Sequence, residues 1–450
     1  MELEYKPKNC WEIFTEEQKK DANNFAQKYI EFLSACKTER ETVEWVLKEA
    51  LSLGFEEDFS RGNFLKVIKH KSIILAKKGA QPLTSGLRII GAHIDTVRLD
   101  LKQHPIFESC DLVLAKTHYY GGIRKYQWLS IPLAIHGVVV KETGEKIKIC
   151  IGEKDNEPVF VIPDLLPHLA SKQNEKKVSE AFEGEKLAPI LGNVPDKEKK
   201  ENKFKACILK ILYEKYNIKE EDLFSAELQF VPAGRAKIMG LDESMIGGYG
   251  QDDRICAFCA FEALMSTLNP EHTIVVVFWD KEEIGSDGAT GAKSLFFEYI
   301  VQDLIDAWEP GAKLSQVMSK SKAISGDVHG AMDPYFEELH DKYNASKLGY
   351  GPVICKFTGH RGKVSANDAS AEYIAWMKKI LNEENVPWQM AELGKVDAGG
   401  GGTVAKFLAE YGMDIVDMGP GILGMHSPFE VSSKADLYAT YLAYKKFLST

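Results

Sequence analysis

The sequence predicts an α/β protein, a three-layer α/β/α domain interrupted by a smaller β-rich insert. Three observations carry this. Short, largely apolar runs such as the charge-free TIVVVFW at 273–279 and LRIIGA at 87–92 recur in residues 1–100 and 241–450. Each ends abruptly in polar residues and leads on to a loop or helix, which is how a mostly parallel sheet buried on both faces reads. Between them, residues 101–240 carry closely spaced β-like runs instead, WLSIPLAIHGVVV, KIKICIG and PVFVIPDL. A chain of 450 residues also exceeds one ordinary core and suits two or three domains of roughly 100–200 residues each.

Taken in order, residues 1–56 predict helices, with apolar positions Phe25, Tyr29, Phe32 and Leu33, then Val43, Val46 and Leu47, at three- and four-residue intervals. Gly54 stops the second of them. Strands are expected at 63–70 and 71–77, then at 87–92. In the insert, the lysine- and glutamate-rich stretch from Ser171 to Lys203 has few large apolar residues and reads as a mobile surface loop. ACILKILYEKYN reads as an amphipathic helix, and EDLFSAELQFVPAGRAKIMG returns to strand. Beyond the insert, helices are expected after Asp253 and over 293–308, 371–384 and 433–448. MDIVDMGPGILGMHSPFE reads as the last strand. The four glycines Gly399–Gly402 match neither a dinucleotide-binding nor a P-loop pattern. They suit a loop that lets backbone approach a substrate.

Composition narrows the function. Fifty-six basic and 66 acidic residues give a net charge of −10, which argues against nucleic acid as a main partner. The sequence contains no apolar run near the ~18 residues that span a bilayer and starts without a signal-type core. Eight scattered cysteines suit reduced thiols better than a disulfide framework. A cytoplasmic protein is therefore expected. Cys256 and Cys259 are spaced CxxC, but no second CxxC accompanies them, and their apolar segment predicts core packing.

The chemistry is concentrated where the apolar runs end. The run at 273–279 stops in Asp280-Lys281-Glu282-Glu283, at the end of a strand where sites form in open α/β sheets. Adjacent side chains there point to different sides, so one carboxylate can bind a metal while its neighbour faces a water as a base. A solvated charged turn is the plain alternative. LRIIGA delivers His93 and Asp95, an imidazole that can bind a metal with a carboxylate that can hold its geometry from behind. Glycines lead into Asp252 and Asp253 before a helix. For Asp253 the helix dipole is explanation enough, whereas Asp252 suits a bridging ligand. A short strand ends in Asp327, and His426 lies beyond the last one. His93, Asp252, Glu283, Asp327 and His426 together offer two imidazoles and three carboxylates. A pair of zinc-like ions needs that set when one carboxylate bridges, and it leaves Glu282 free as general base. His136, alone in an apolar strand of the insert, reads as a hydrogen-bonded core histidine.

HIDTVRLDLK, PLAIHG, QDD before a helix, WDKEEIGSDGATGA, ISGD…DP and GMHSPFE together resemble the aspartyl aminopeptidase and vacuolar aminopeptidase I family, family 18 of the metallopeptidases. The resemblance covers nearly the whole chain. It implies a zinc-exopeptidase-like catalytic domain (1–100 and 241–450) with an inserted dimerisation and substrate-access domain (101–240). It implies a metallo-aminopeptidase with two Zn2+ per subunit, Co2+ or Mn2+ being the alternatives. His93, Asp252 and Asp327 would hold one ion, and Asp252, Glu283 and His426 the other. Glu282 would be the base, Asp95 a steering residue, and His136 a residue that reaches a neighbouring subunit's active site. It also implies dimers assembled into a tetrahedral dodecamer, and a basic residue favouring acidic N-terminal Asp or Glu. In FTGHRGKVSAN that residue is His360, Arg361 or Lys363. Related di-metal aminopeptidases of the tetrahedral and glutamyl type share the HxD, DD and EE elements, but not the DTVRLDLK and PLAIHG flanks. An inactive scaffold of the same fold would not be expected to keep Glu282 and all five ligands.

Overall fold

The computed structural model describes residues 3–359 and 361–450. Among these, the strands form three sheets of eight, five and six strands. The chain divides into two compact units, one of residues 1–95, 236–425 and 430–450, the other of residues 96–235 and 426–429.

The eight-stranded sheet organises the larger unit. Its centre is built from three parallel neighbours, Ile274–Trp279, Arg88–His93 and Lys322–Ser325, with Asp414–Gly419 parallel beyond them. Ser72–Lys77 runs antiparallel on the other side of Ile274–Trp279. All six side chains of Ile274–Trp279 are buried, as an uncharged run predicts, and they alternate between two cores as the strand period of two requires. Ile274, Val276 and Phe278 join one core with the helices Glu16–Ala35, Glu39–Ser52, Gln251–Ser266, Ala371–Glu383 and Lys434–Leu448. Val275, Val277 and Trp279 join the other, with Phe296–Trp308, Leu314–Met318 and Ala405–Ala409. The result is the expected three-layer α/β/α arrangement. Gly91 makes room in it: a Cβ there would stand 2.1 Å from the Trp279 ring. Cys256 and Cys259 are buried in the first core. No helix among the described residues is long and apolar enough to cross a membrane.

The second unit holds the six-stranded antiparallel sheet, whose central strands are Leu133–Val140, Glu227–Pro232 and Arg98–Ser109. Two expectations are corrected. The Ser171–Lys203 stretch is not a featureless loop. It contains short helices at Ser171–Asn174 and Val178–Ala181, and a strand, Ile190–Gly192, that pairs with Leu112–Tyr120. Leu187 and Ala188 are its buried anchors, few enough to vanish in an average over charged neighbours. The stretch expected as one last strand over 413–430 is also broken, and its first part is Asp414–Gly419. Gly421–Leu423 and Glu430–Ser433 follow it into the five-stranded sheet.

Candidate metal centre

The parallel pairing brings the polar residues together. Trp279 is in register with His93, and Ser325 with Gly91. The carboxyl ends of three adjacent strands therefore deliver Glu282 and Glu283, His93 and Asp95, and Asp327 to one edge. The helix Gln251–Ser266 supplies Asp252 and Asp253 from its first turn. Gly250 precedes it at φ 73°, where any Cβ would collide with the Arg254 guanidinium.

His93 is the hub. Its Nε2 stands 3.1 Å from Asp252 Oδ1 and 4.0 Å from Glu282 Oε2. Its Nδ1 lies 3.0 Å from the Asp95 carbonyl oxygen and 3.4 Å from Asp95 Oδ1. Two groups of possible ligand atoms share this imidazole, each within 4.8 Å: His93 with Asp252 and Glu283, and His93 with Asp253 and Asp327. Burial alone would push the His93 pKa down, but hydrogen bonds to Asp252 and Asp95 and the Glu282 charge outweigh it and hold the ring well above its ordinary value. Burial pushes Asp253 far up, opposed by His93 and reinforced by Asp252. Asp327 keeps some exposed surface, yet desolvation of its carboxyl and the nearby Asp253 push it the same way. The Asp253 carboxylate has only the weak Cys256 thiol beside it as a donor among the described residues. Carboxylates crowded so far from water are costly unless a cation or donors balance them. The nitrogen and oxygen donor set suits zinc, so these residues fit a divalent metal.

Two carboxylates brace the cluster from behind. Asp95, fully buried, accepts from the Glu282 N–H at 3.1 Å on one oxygen and from the Glu283 N–H at 3.2 Å on the other. Glu430 Oε2 accepts from the Gln251 and Asp252 N–H groups at 2.6 and 3.2 Å. Sequence reasoning missed Glu430 and gave Asp253 only a helix-dipole role. Glu430 closes the GMHSPFE motif, but its role as a brace shows only through the pairing of Gly248 with Glu430 across two antiparallel strands.

The remaining sequence candidates fall outside both ligand groups. His426 falls in the second unit, at φ 65°, with Nδ1 2.9 Å from the Gly122 carbonyl oxygen, and belongs to neither ligand group. His136, also in that unit, is buried on its strand with Nε2 3.0 Å from Glu153 Oε1. His360 lies outside the described residues. Arg361 is exposed, and the Lys363 ammonium is 3.2 Å from Asp368 and sits 3.7 Å over the Phe357 ring.

A parallel α/β sheet with an imidazole and carboxylates converging at its carboxyl edge defines the chain as an α/β metalloenzyme. Comparisons with known proteins narrow this. The model of the M18 family, aminopeptidase I zinc metalloproteases, matches residues 32–448. A probable M18 family aminopeptidase 1 of Clostridium acetobutylicum is 48% identical over 455 residues, covering 98% of both chains. One from Thermotoga maritima is 49% identical over 451 residues, again covering 98% of both. The crystal structure of the T. maritima M18 aminopeptidase superposes with a TM-score of 0.95 over 99% of this chain and 100% of the other, at 47% identity. A structure of the S. cerevisiae mApe1 dodecamer shares the fold, with a TM-score of 0.77 at 20% identity over 95% and 97% of the two chains. The chain belongs to the M18 family of zinc aminopeptidases, hydrolases that act on peptide bonds.

Proposed function

We propose that the chain removes N-terminal residues from peptides through two zinc ions bound around His93. The observation that carries this is the pair of ligand groups sharing that imidazole, with Glu282 beside Glu283. In this reading Asp252 serves both ions, with His93 and Asp327 on one side and Glu283 on the other. The 3.1 Å approach of Asp252 to His93 Nε2 and its grouping with Glu283 support Asp252 as a ligand. His426 joins the second ion on the strength of the GMHSPFE motif. Asp253 is the competing carboxylate, because it groups with His93 and Asp327.

Zinc held there would lower the pKa of a water toward ~7, polarise the scissile carbonyl and take the peptide's free α-amine. Glu282 accepts the water's proton on its carboxylate and later delivers it to the leaving amine nitrogen. Asp95 fixes both glutamates through their amides, so the base keeps its reach. His136 of a partner subunit donates a hydrogen bond to the developing oxyanion. The insert is thus a dimerisation domain as well as an access wall. The named dodecamer of the yeast relative supports dimers assembled into a larger shell. Arg361 and Lys363, with His360 from the sequence, are the basic residues that would favour acidic N-termini. Scattered cysteines support a cytoplasmic setting.

Metal analysis combined with a panel of aminoacyl-naphthylamides tests the reading. Two equivalents of zinc per chain and cleavage of free-amine substrates only are expected. One equivalent, or equal cleavage of N-acetylated substrates, overturns it.

A further inference from the structure

We propose that Asp280, Thr290 and Ser72 form a clasp that positions the loop carrying Glu282 and Glu283, making Asp280 and Thr290 positioning residues for the reaction. The proposal rests on the reading of Glu282 as the base. The loop leaves the buried strand Ile274–Trp279 at Asp280 and returns at Thr290, and both of these residues are buried. Between them, Ile284, Gly285 and residues 287–289 are exposed. Ser286 is the one buried residue between them, so packing holds the excursion at little more than that point and hydrogen bonds must do the rest.

The neck is closed by four of them. The Thr290 hydroxyl donates to Asp280 Oδ2 at 2.6 Å. The Ser72 hydroxyl, from the neighbouring strand, donates to the Thr290 carbonyl oxygen at 2.8 Å and accepts from the Asp280 N–H at 3.2 Å. The Asp280 N–H also reaches the Thr290 carbonyl oxygen at 3.3 Å. Above the neck, Ser286 N–H donates to the Lys281 carbonyl oxygen at 2.7 Å, and Lys281, Gly285, Ser286 and Gly288 all take positive φ. The second fixing point is Asp95, which holds the Glu282 and Glu283 amides. The loop is thus pinned at its neck by Asp280 and at its glutamates by Asp95. Asp280 sits 3.6 Å from the Lys281 ammonium, and its other oxygen accepts no hydrogen bond. A misplacement of about 1 Å at a reacting group costs up to roughly 100-fold in rate, so a loosened neck should be visible in turnover.

The test is Thr290→Val, which keeps the shape and removes the donor to Asp280. Expected are a fall in kcat of roughly 10- to 100-fold, little change in KM, unchanged bound zinc and faster amide exchange across residues 281–289. Thr290→Ser should restore both kcat and protection. Ser72→Ala, which opens the same neck from the other strand, is the second variant should Thr290→Val fail to fold. Amide exchange is read on the protein without substrate, so it does not depend on which residue is the base. Wild-type exchange over 281–289 in both variants overturns the clasp. So does a loss of kcat that merely parallels loss of zinc. A fully active Glu282→Gln enzyme would instead sink the assignment of the base, and the exchange result would stand apart from it.

Discussion

The larger unit gathers several buried charges at one edge of its sheet, whereas two charged contacts of the second unit are made between neighbours. At the carboxyl edge of the eight-stranded sheet, Asp95, Asp252 and Asp253 crowd around one buried imidazole, with Glu282, Glu283 and Asp327 at the rim. In the insert, His136 meets Glu153, and Arg98 meets Asp100 at 2.8 Å. A pair balances itself. A cluster with one imidazole and several carboxylates does not, and it calls for a cation. The same contrast separates residues expected to hold the metal from residues that are not. Removing a member of the cluster should remove metal or turnover, while removing a member of a pair should leave the metal alone.

The largest effect is expected for Asp252→Ala. One carboxylate serving two ions makes both depend on it, so activity should fall to background and zinc should drop at both positions. Metal analysis of the purified variant checks this, and full occupancy would rule out the bridge. Asp253→Asn in parallel decides between the two neighbours. If Asp253→Asn loses the metal and Asp252→Ala does not, the roles are exchanged.

Glu282→Gln comes next. The amide keeps the size of the side chain but accepts no proton from water. Steady-state kinetics should show kcat lower by roughly 10²–10⁴-fold with zinc retained. Near wild-type turnover would pass the role of base to another group.

The insert gives the sharpest test of the contrast. His136→Ala should lose turnover by about 10²–10³-fold, the scale of one oxyanion donor, without losing zinc. Mixed with a metal-dead Glu283→Ala variant, it should recover in part. In a mixed dimer one site has intact ligands from one chain and an intact histidine from the other. Subunit exchange is shown independently by tagged pull-down. Exchange without rescue would return His136 to a core histidine paired with Glu153.

Much of this was legible in the sequence, for a physical reason. A buried parallel strand is an unbroken apolar run, so its end is visible, and the residues just past it are the ones that can act. That exposed His93, Asp95, Glu282, Glu283 and Asp327. What stayed hidden depends on pairing across long separations. Glu430 reaches Gln251 and Asp252 only because Gly248 and Glu430 share a register. Asp253 looked like a helix-dipole residue because nothing local tells a buried first turn from an exposed one. The Ser171–Lys203 stretch was masked by its charge, although Leu187 and Ala188 suffice to anchor it.

The smallest expected effect concerns substrate choice at the rim of the larger unit. Lys363 already has a partner in Asp368 and an aromatic face in Phe357, both of which hold its ammonium near the loop. Arg361 is exposed, and its backbone N–H is tied to the Val396 carbonyl oxygen at 3.1 Å, which fixes where the side chain starts. Under the proposed acidic preference, Arg361 is taken as the residue that meets a substrate carboxylate. An exposed ion pair contributes about 1 kcal/mol at most, so Arg361→Ala should lower kcat/KM for an Asp- or Glu-naphthylamide by only about 5-fold relative to the Ala substrate. Lys363→Ala should change the ratio less. The preference of the Arg361→Ala enzyme should also respond less to added salt, since screening acts on the charge that was removed. If the wild-type enzyme shows no preference for acidic residues, or if the ratio survives in Arg361→Ala and falls in Lys363→Ala, Arg361 is not the selecting residue.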